Sequence, residues 1–190
     1  MILPVSSTLA ERLEVLADAY ALRGYDVRPN LLPGATCGEL DEVEAALGVV
    51  LPASYRELYG WSAGVIDEFG TAPCLRFRDE SLLPLTRVVE ERDRLLEIYD
   101  WCESVDGRVV APFASFEGSV LVVACGPQRL TSAVPHPVIS YFQGIDVYYD
   151  SIEAMVETTI AWVSQAGWAP YETTPNEMEI WRRCNRAVTF

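Results

Sequence analysis

The chain has 190 residues, 50% of them apolar and 22% charged, with 28 acids against 14 bases for a formal net charge of −14. This composition fits one globular domain spanning residues 1–190, excludes a disordered tail or a coiled coil, and sets free nucleic acid and anionic membrane surfaces against it by charge. Every base is Arg and there is a single His, so a P-loop, a protein kinase, a pyridoxal enzyme and a two-histidine helical zinc site are excluded.

The spacing predicts a first helix over residues 7–23, with Leu9, Leu13, Leu16 and Tyr20 on one face and Gly24 as its stop. A loop carrying Pro29, Pro33 and Gly34 leads to a second helix over 39–47, whose Val43 and Leu47 share a face and whose acids complement the N-terminal end of the helix dipole. Gly48 ends it. Pro52 suits the first position of a third helix, which carries Tyr55 and Leu58 behind Leu51 and has Gly64 as its expected stop. Residues 74–78 alternate, Leu75 and Phe77 against Arg76 and Arg78, and read as a half-exposed strand. A charged helix over 86–101 follows, facing the core with Val88, Leu95 and Tyr99 while its acids and arginines, Glu91 among them, dress the outside.

Residues 108–150 read as β-rich. Pro112 confines the strand over 108–114 to an edge or a break, the apolar run 119–125 reads as a central strand, and 138–142 with 146–149 flank Gln143-Gly144-Ile145 as a hairpin. Asp150 and Glu153 predict a capping box at the start of a fifth helix, and the stripe of Ile152, Met155, Val156, Thr159, Ile160 and Val163 lays that helix across the sheet. A last helix over 174–187 opens at Thr174, with Pro175 first and Glu177 completing another box. The fold class is α+β, an antiparallel or mixed sheet of about five strands covered by helices.

Gly60-Trp61-Ser62-Ala63-Gly64 spells the G-x-S-x-G of a nucleophile elbow, with Asp100 or Asp106 and then His136 in hydrolase order. A serine hydrolase using Ser62 is the reading from a different class, but an elbow needs a strand before its serine, and here a Pro-started helix precedes it. The cysteines at 37, 74, 102, 125 and 184 contain no C-x-x-C, open no helix and adjoin no cation cluster, so they read as thiols packed like small core residues. No metal or cofactor is expected. Tyr141, Phe142, Tyr148 and Tyr149 lack a basic stripe, which favours the core or a protein interface over nucleic acid. Met1 to Ala10 has no cationic stretch ahead of an apolar one, and no apolar run reaches about 18 residues, so a cytoplasmic chain without a membrane span is expected.

The stretch from Glu39 to Leu58 contains Glu44-Ala45-Ala46-Leu47-Gly48 and then Leu51-Pro52-Ala53-Ser54-Tyr55, and the helix that follows closes at Ser62 to Gly64. It resembles the opening motif of the SUKH superfamily, which includes the yeast cell-wall assembly regulator and bacterial immunity proteins that neutralise polymorphic or contact-dependent toxins. Gly118-Ser119 ahead of Val120-Leu121-Val122-Val123 is similar to the family's Gly-led central strand, and Tyr148 to Val163 to its closing strand and helix. The likeness covers residues 39–167 and departs at Ser62-Ala63, where an Asn often precedes the Gly. It implies a SUKH-like fold with extra N- and C-terminal helices. In that fold Leu47, Gly48, Leu51, Pro52, Tyr55, Gly64 and Gly118 are architectural, and no catalytic position is carried over. The resemblance also implies a binding protein, either an immunity-type inhibitor of a cognate toxin or an intracellular regulatory or scaffold module like the yeast member. Given the net charge of −14, the toxin is expected to present a basic surface such as a nuclease cleft, met by the loop acids Asp67, Glu68, Asp106, Glu117 and Asp146.

Overall fold

Thr8 and Thr36 each stand three residues before a glutamate, and both pairs close into capping boxes, Thr8 with Glu11 and Thr36 with Glu39. They open α1 (Leu9–Leu22) and α2 (Cys37–Leu47) in the computed structural model, which describes residues 7–67, 73–99, 109–126, 134–141, 144–170, 172 and 176–188. α2 ends where expected, at Gly48, whose φ is 66° and whose N–H closes on the Glu44 and Ala45 carbonyls. α3 runs Ala53–Trp61, with Pro52 as its cap and not its first residue. α4 (Val88–Tyr99) grows out of a 3-10 turn at Leu85–Arg87, and α5 (Ile152–Val163) and α6 (Glu177–Cys184) follow the sheet.

Among the described residues six strands lie side by side in chain order, every pairing antiparallel: β1 (Arg76–Phe77), β2 (Glu80–Leu82), β3 (Val110–Phe116), β4 (Ser119–Ala124), β5 (Val138–Tyr141) and β6 (Ile145–Tyr149). The α+β class holds with one strand more than expected, because β2 is three residues long and opens with a glutamate and a serine, leaving no alternation to announce it. Glu117 (φ 44°) and Gly118 (φ 93°) make the tight turn between β3 and β4, both in the left-handed region that matches the twist of the flanking strands. Alternation along β4 sends Leu121 and Val123 to the main core with α1, α3, α5 and α6, and Val120, Val122 and Ala124 to a second cluster with Leu95 of α4. In the main core Leu13, Leu16, Leu58, Met155 and Val156 are fully buried, and each such aliphatic side chain contributes about 1.5–3 kcal/mol.

β3 is not an edge strand. It lies between β2 and β4, and the ladder accommodates Pro112 through a bulge: Pro112 pairs with Val122, Ala114 with Leu121, and Phe113 is the extra residue. α3 supplies donors to this bulge. The Tyr55 hydroxyl donates to the Pro112 carbonyl at 2.8 Å, and the Tyr59 hydroxyl lies 3.1 Å from the Leu83 carbonyl and 3.5 Å from that of Phe113. The Phe113 carbonyl also accepts the Leu83 N–H at 2.9 Å. Burial pushes the Tyr55 phenol well above its ordinary pKa, with Tyr59 adding to the effect, so the hydroxyl keeps its proton for this bond.

Other local expectations give way to tertiary contacts. α3 ends at Trp61 with Ser62 extended, so Gly64 does not stop the helix. Gly64 (φ 120°) is instead where the chain passes the Leu83–Pro84 backbone, and a Cβ there would sit 2.5 Å from the Leu83 carbonyl oxygen. Arg76, expected outside, is buried, with its guanidinium 4.6 Å over the Phe116 ring and donating to the Asp79 carbonyl at 2.7 Å. Glu91 is also buried, in an ion pair with Arg94. Ser151 and not Asp150 caps α5, because the Asp150 carboxylate accepts the Ala187 N–H at 3.0 Å. α6 begins at Glu177 behind Asn176, and Thr174 and Pro175 lie outside the described residues.

Tyr55→Phe keeps the ring and strips the donor from a buried carbonyl, so a loss of about 1–3 kcal/mol is expected in urea unfolding. Gly64→Ala should cost more than Gly48→Ala: both strain a positive φ, at about 1–2 kcal/mol, but a Cβ at Gly48 meets nothing within 4 Å. Glu80 gives a pH test. Burial, more than any neighbour, raises its carboxyl pKa, even though the Ser119 hydroxyl donates to it at 2.5 Å. The folded state therefore holds this proton more tightly than the unfolded state, and stability falls as pH rises from the ordinary carboxylate value, about 4.3, through the raised one. Glu80→Gln keeps the acceptor for Ser119 and should flatten the urea midpoint across that window; an unchanged profile would show that Glu80 does not set it.

Candidate functional site

The Ser62 side chain is enclosed directly after α3, and no parallel strand leads into it. Its hydroxyl lies 3.0 Å from the Leu32 carbonyl and 2.9 Å from that of Gly64, and it accepts the Gly64 N–H at 3.3 Å. These bonds tie three backbone segments together, and the strand–turn–helix frame of a nucleophile elbow is not built around this serine. The His136 ring places Nδ1 2.8 Å from the Ala124 carbonyl at the end of β4, and Asp100 and Asp106 lie outside the described residues. Burial, reinforced by the Glu44 charge, pushes the Cys125 thiol up to about 12, the opposite of an activated nucleophile. Cys74 is buried and donates to the Asp67 carbonyl at 3.0 Å. Cys102 lies outside the described residues, and among the described ones no group of three His, Cys, Asp or Glu is placed to hold a metal ion.

Of the five acids expected to face a partner, Asp67, Glu117 and Asp146 are among the described residues. Glu117 is exposed in the β3–β4 turn, and Asp146 is exposed within β6 opposite Ser140, in a strand and not a loop. The strand registers put the β1–β2, β3–β4 and β5–β6 turns at the same end of the sheet, so these two acids share that end. Asp67 is exposed elsewhere, its backbone held by the Asn30 side chain. Glu68 and Asp106 lie outside the described residues.

The family-like motif builds something the spacing alone did not reveal, a groove between α2 and α4. Glu44 of α2 accepts the Leu51 N–H at 2.9 Å and pairs with Arg56 of α3, which fixes the angle between the two helices across Gly48 and Pro52. The loop before α2 is stitched to the end of α3: Leu32 N–H to Gly64, Ala35 N–H to Tyr59 and Ala63 N–H to Pro33, at 2.9, 2.8 and 3.1 Å. Gly34 lies so close to Gly60 that a Cβ would sit 1.9 Å from its carbonyl oxygen. On the far side Leu85 N–H reaches the Ala63 carbonyl at 2.8 Å, and Arg92 of α4 donates to the Leu47 carbonyl at the end of α2 at 2.9 Å.

Between these fastenings lies an open cleft of about 620 Å³, lined mainly by apolar side chains that include Val43, Ala46, Ala63, Leu85 and Val89, with Glu39 and Glu42 on its rim. Val43, expected on the core face with Leu47, is half-buried here, while Leu40 and Leu47 are the core residues of α2. Past Val89 the surface turns acidic, with Glu90, Asp93, Glu97 and Glu117 exposed around a shallow depression that also holds Arg87 and Arg94. A smaller cavity of about 220 Å³ beside Tyr25 and Trp168 is lined by Arg78 and Glu177, which pair with each other at 3.2 Å.

A comparison with curated proteins finds no match. No helix among the described residues is long and apolar enough to cross a membrane. The sequence model of the SMI1 / KNR4 family (SUKH-1) matches residues 34–169, from the Gly34 contact through α5, with α1 and α6 on either side. With well over half the chain matched, and its motif residues found at the junctions of α2, α3 and the β3 bulge, the protein belongs to the SMI1 / KNR4 (SUKH-1) family.

Proposed function

We propose that this protein acts by binding and not by catalysis, as an immunity-type module that engages and neutralises a cognate toxin with a basic surface. Family membership supports a protein-binding, immunity-type module. The observation that carries the reading is the division of labour in the matched region. Its polar motif groups, the hydroxyls of Tyr55 and Ser62 and the carboxylate of Glu44, are committed to the chain's own backbone, while Glu42, Glu90, Glu97 and Glu117 are exposed. Side chains engaged in this way hold a shape; exposed carboxylates around an apolar surface recruit a partner of opposite charge.

Co-expression with a toxin encoded beside this gene should rescue growth and yield a complex that purifies as one species. Its affinity should fall roughly tenfold or more as salt rises from about 0.05 to about 0.5 M, since the screening length drops below about 5 Å over that range. Salt-insensitive binding would reject the electrostatic part. A failure to rescue, with no complex formed, would reject the immunity reading in favour of a regulatory or scaffold role for the same fold.

A further inference from the structure

We propose that the α2–α4 groove is the docking site, and that its occupant is an amphipathic helix of the partner, with an apolar stripe on the groove floor and Arg or Lys side chains flanking the stripe. This rests on the protein-binding reading above and adds the face and the kind of segment it takes.

Three features of the groove specify that occupant. α2 and α4 present ridges spaced by helical turns, and a third helix packs between two such ridges with anchors at i, i+3 or i+4, and i+7. α2 is 11 residues long, about 16 Å, enough for three turns of a partner helix. The floor of Val43, Ala46, Ala63 and Val89 is apolar, while Glu39 and Glu42 stand along α2 and Glu90 along α4. An apolar stripe between carboxylates complements a helix with cations on both flanks. A second copy of this chain, at −14, would instead set like charges against each other. The Glu39 carboxyl is held below the usual range by the Thr36 backbone and side chain, which favours its charged form. The walls are fastened before any partner arrives, by the Gly34–Gly60 contact on one side and the Arg92–Leu47 bond at the end. Little ordering remains to be done on binding.

The direct test titrates isotope-labelled protein with three helical peptides of about twelve residues. One carries a Leu stripe with Arg flanks, one the same stripe with Glu flanks, and one the Arg flanks with Ser replacing Leu. The proposal expects amide shifts centred on Val43, Ala46, Ala63 and Val89 with the first peptide alone. Ala46→Arg fills the groove from an exposed helical position without removing core volume, and should weaken binding at least about tenfold. Glu42→Lys should weaken it in the same direction, and Met178→Arg on α6 should leave it unchanged. Shifts mapping elsewhere, equal binding of the Ser peptide, or indifference to both groove variants would overturn the proposal. With a cognate toxin the two readings separate: a toxin bound equally by wild type and Ala46→Arg overturns the groove alone, whereas a toxin bound by neither overturns the protein-binding reading beneath it.

Discussion

The fold depends on how the chain manages a proline in the middle of its sheet. Pro112 offers no N–H to the ladder, and β3 absorbs it with an extra residue at Phe113. That bulge sits against α3, whose Tyr55 and Tyr59 hydroxyls reach the Pro112, Phe113 and Leu83 carbonyls. A buried carbonyl without a donor costs on the order of 1–3 kcal/mol, so the sheet and this helix each complete a surface the other leaves unfinished. Tyr55 of the Leu51-Pro52-Ala53-Ser54-Tyr55 stretch is therefore a hydrogen-bond donor to the sheet as well as a buried ring, a role its place in the first turn of α3 does not announce.

From that junction the rest of the surface follows. With α3 seated on β3, Ser62 to Gly64 emerges beside Leu83 and Pro84, where only a residue without a Cβ passes. The same short segment bonds the loop before α2 on one side and the start of α4 on the other. The groove is the space these attachments leave open. Its floor is apolar and its margin carries the carboxylates of Glu39 and Glu42, properties suited to recognition. Glu44 and Glu91 enter internal ion pairs, while Glu39 and Glu42 stay at the rim and Glu90 is exposed just past Val89.

Much of the architecture was legible in the sequence because it is written in local signals. The stripe of α1, the stop at Gly48, the uninterrupted run of β4 and the β5–β6 hairpin each follow from spacing or turn chemistry within a dozen residues. What was illegible depends on distant partners. Pro112 reads as an edge or a break, and only the pairing of β3 with both β2 and β4 decides for a break, the bulge at Phe113; Arg76 reads as exposed until Phe116 covers it. Asp150 reads as a cap until Ala187 claims it, and β2 is too short and polar to carry a period. Less of the candidate site is legible: the sequence points to loop acids, whereas the groove rim is helical and its floor gathers Val43 and Ala46 of α2 with Ala63 and Val89 from elsewhere in the chain. Pro33-Gly34 was the one local hint, a turn placed where a backbone approaches closely.

Native-state hydrogen exchange at the amides of Ala63, Leu83 and Leu85 tests the central claim most directly, because those three bonds join the loop before α2, the β3 bulge and the start of α4. If the α3–β3 junction organises the molecule, all three exchange only through global unfolding, with the same free energy and the same denaturant dependence as the β4 amides. Exchange at a much lower free energy, insensitive to denaturant, would mean that the junction opens by itself while the sheet stays folded, and would contradict the account.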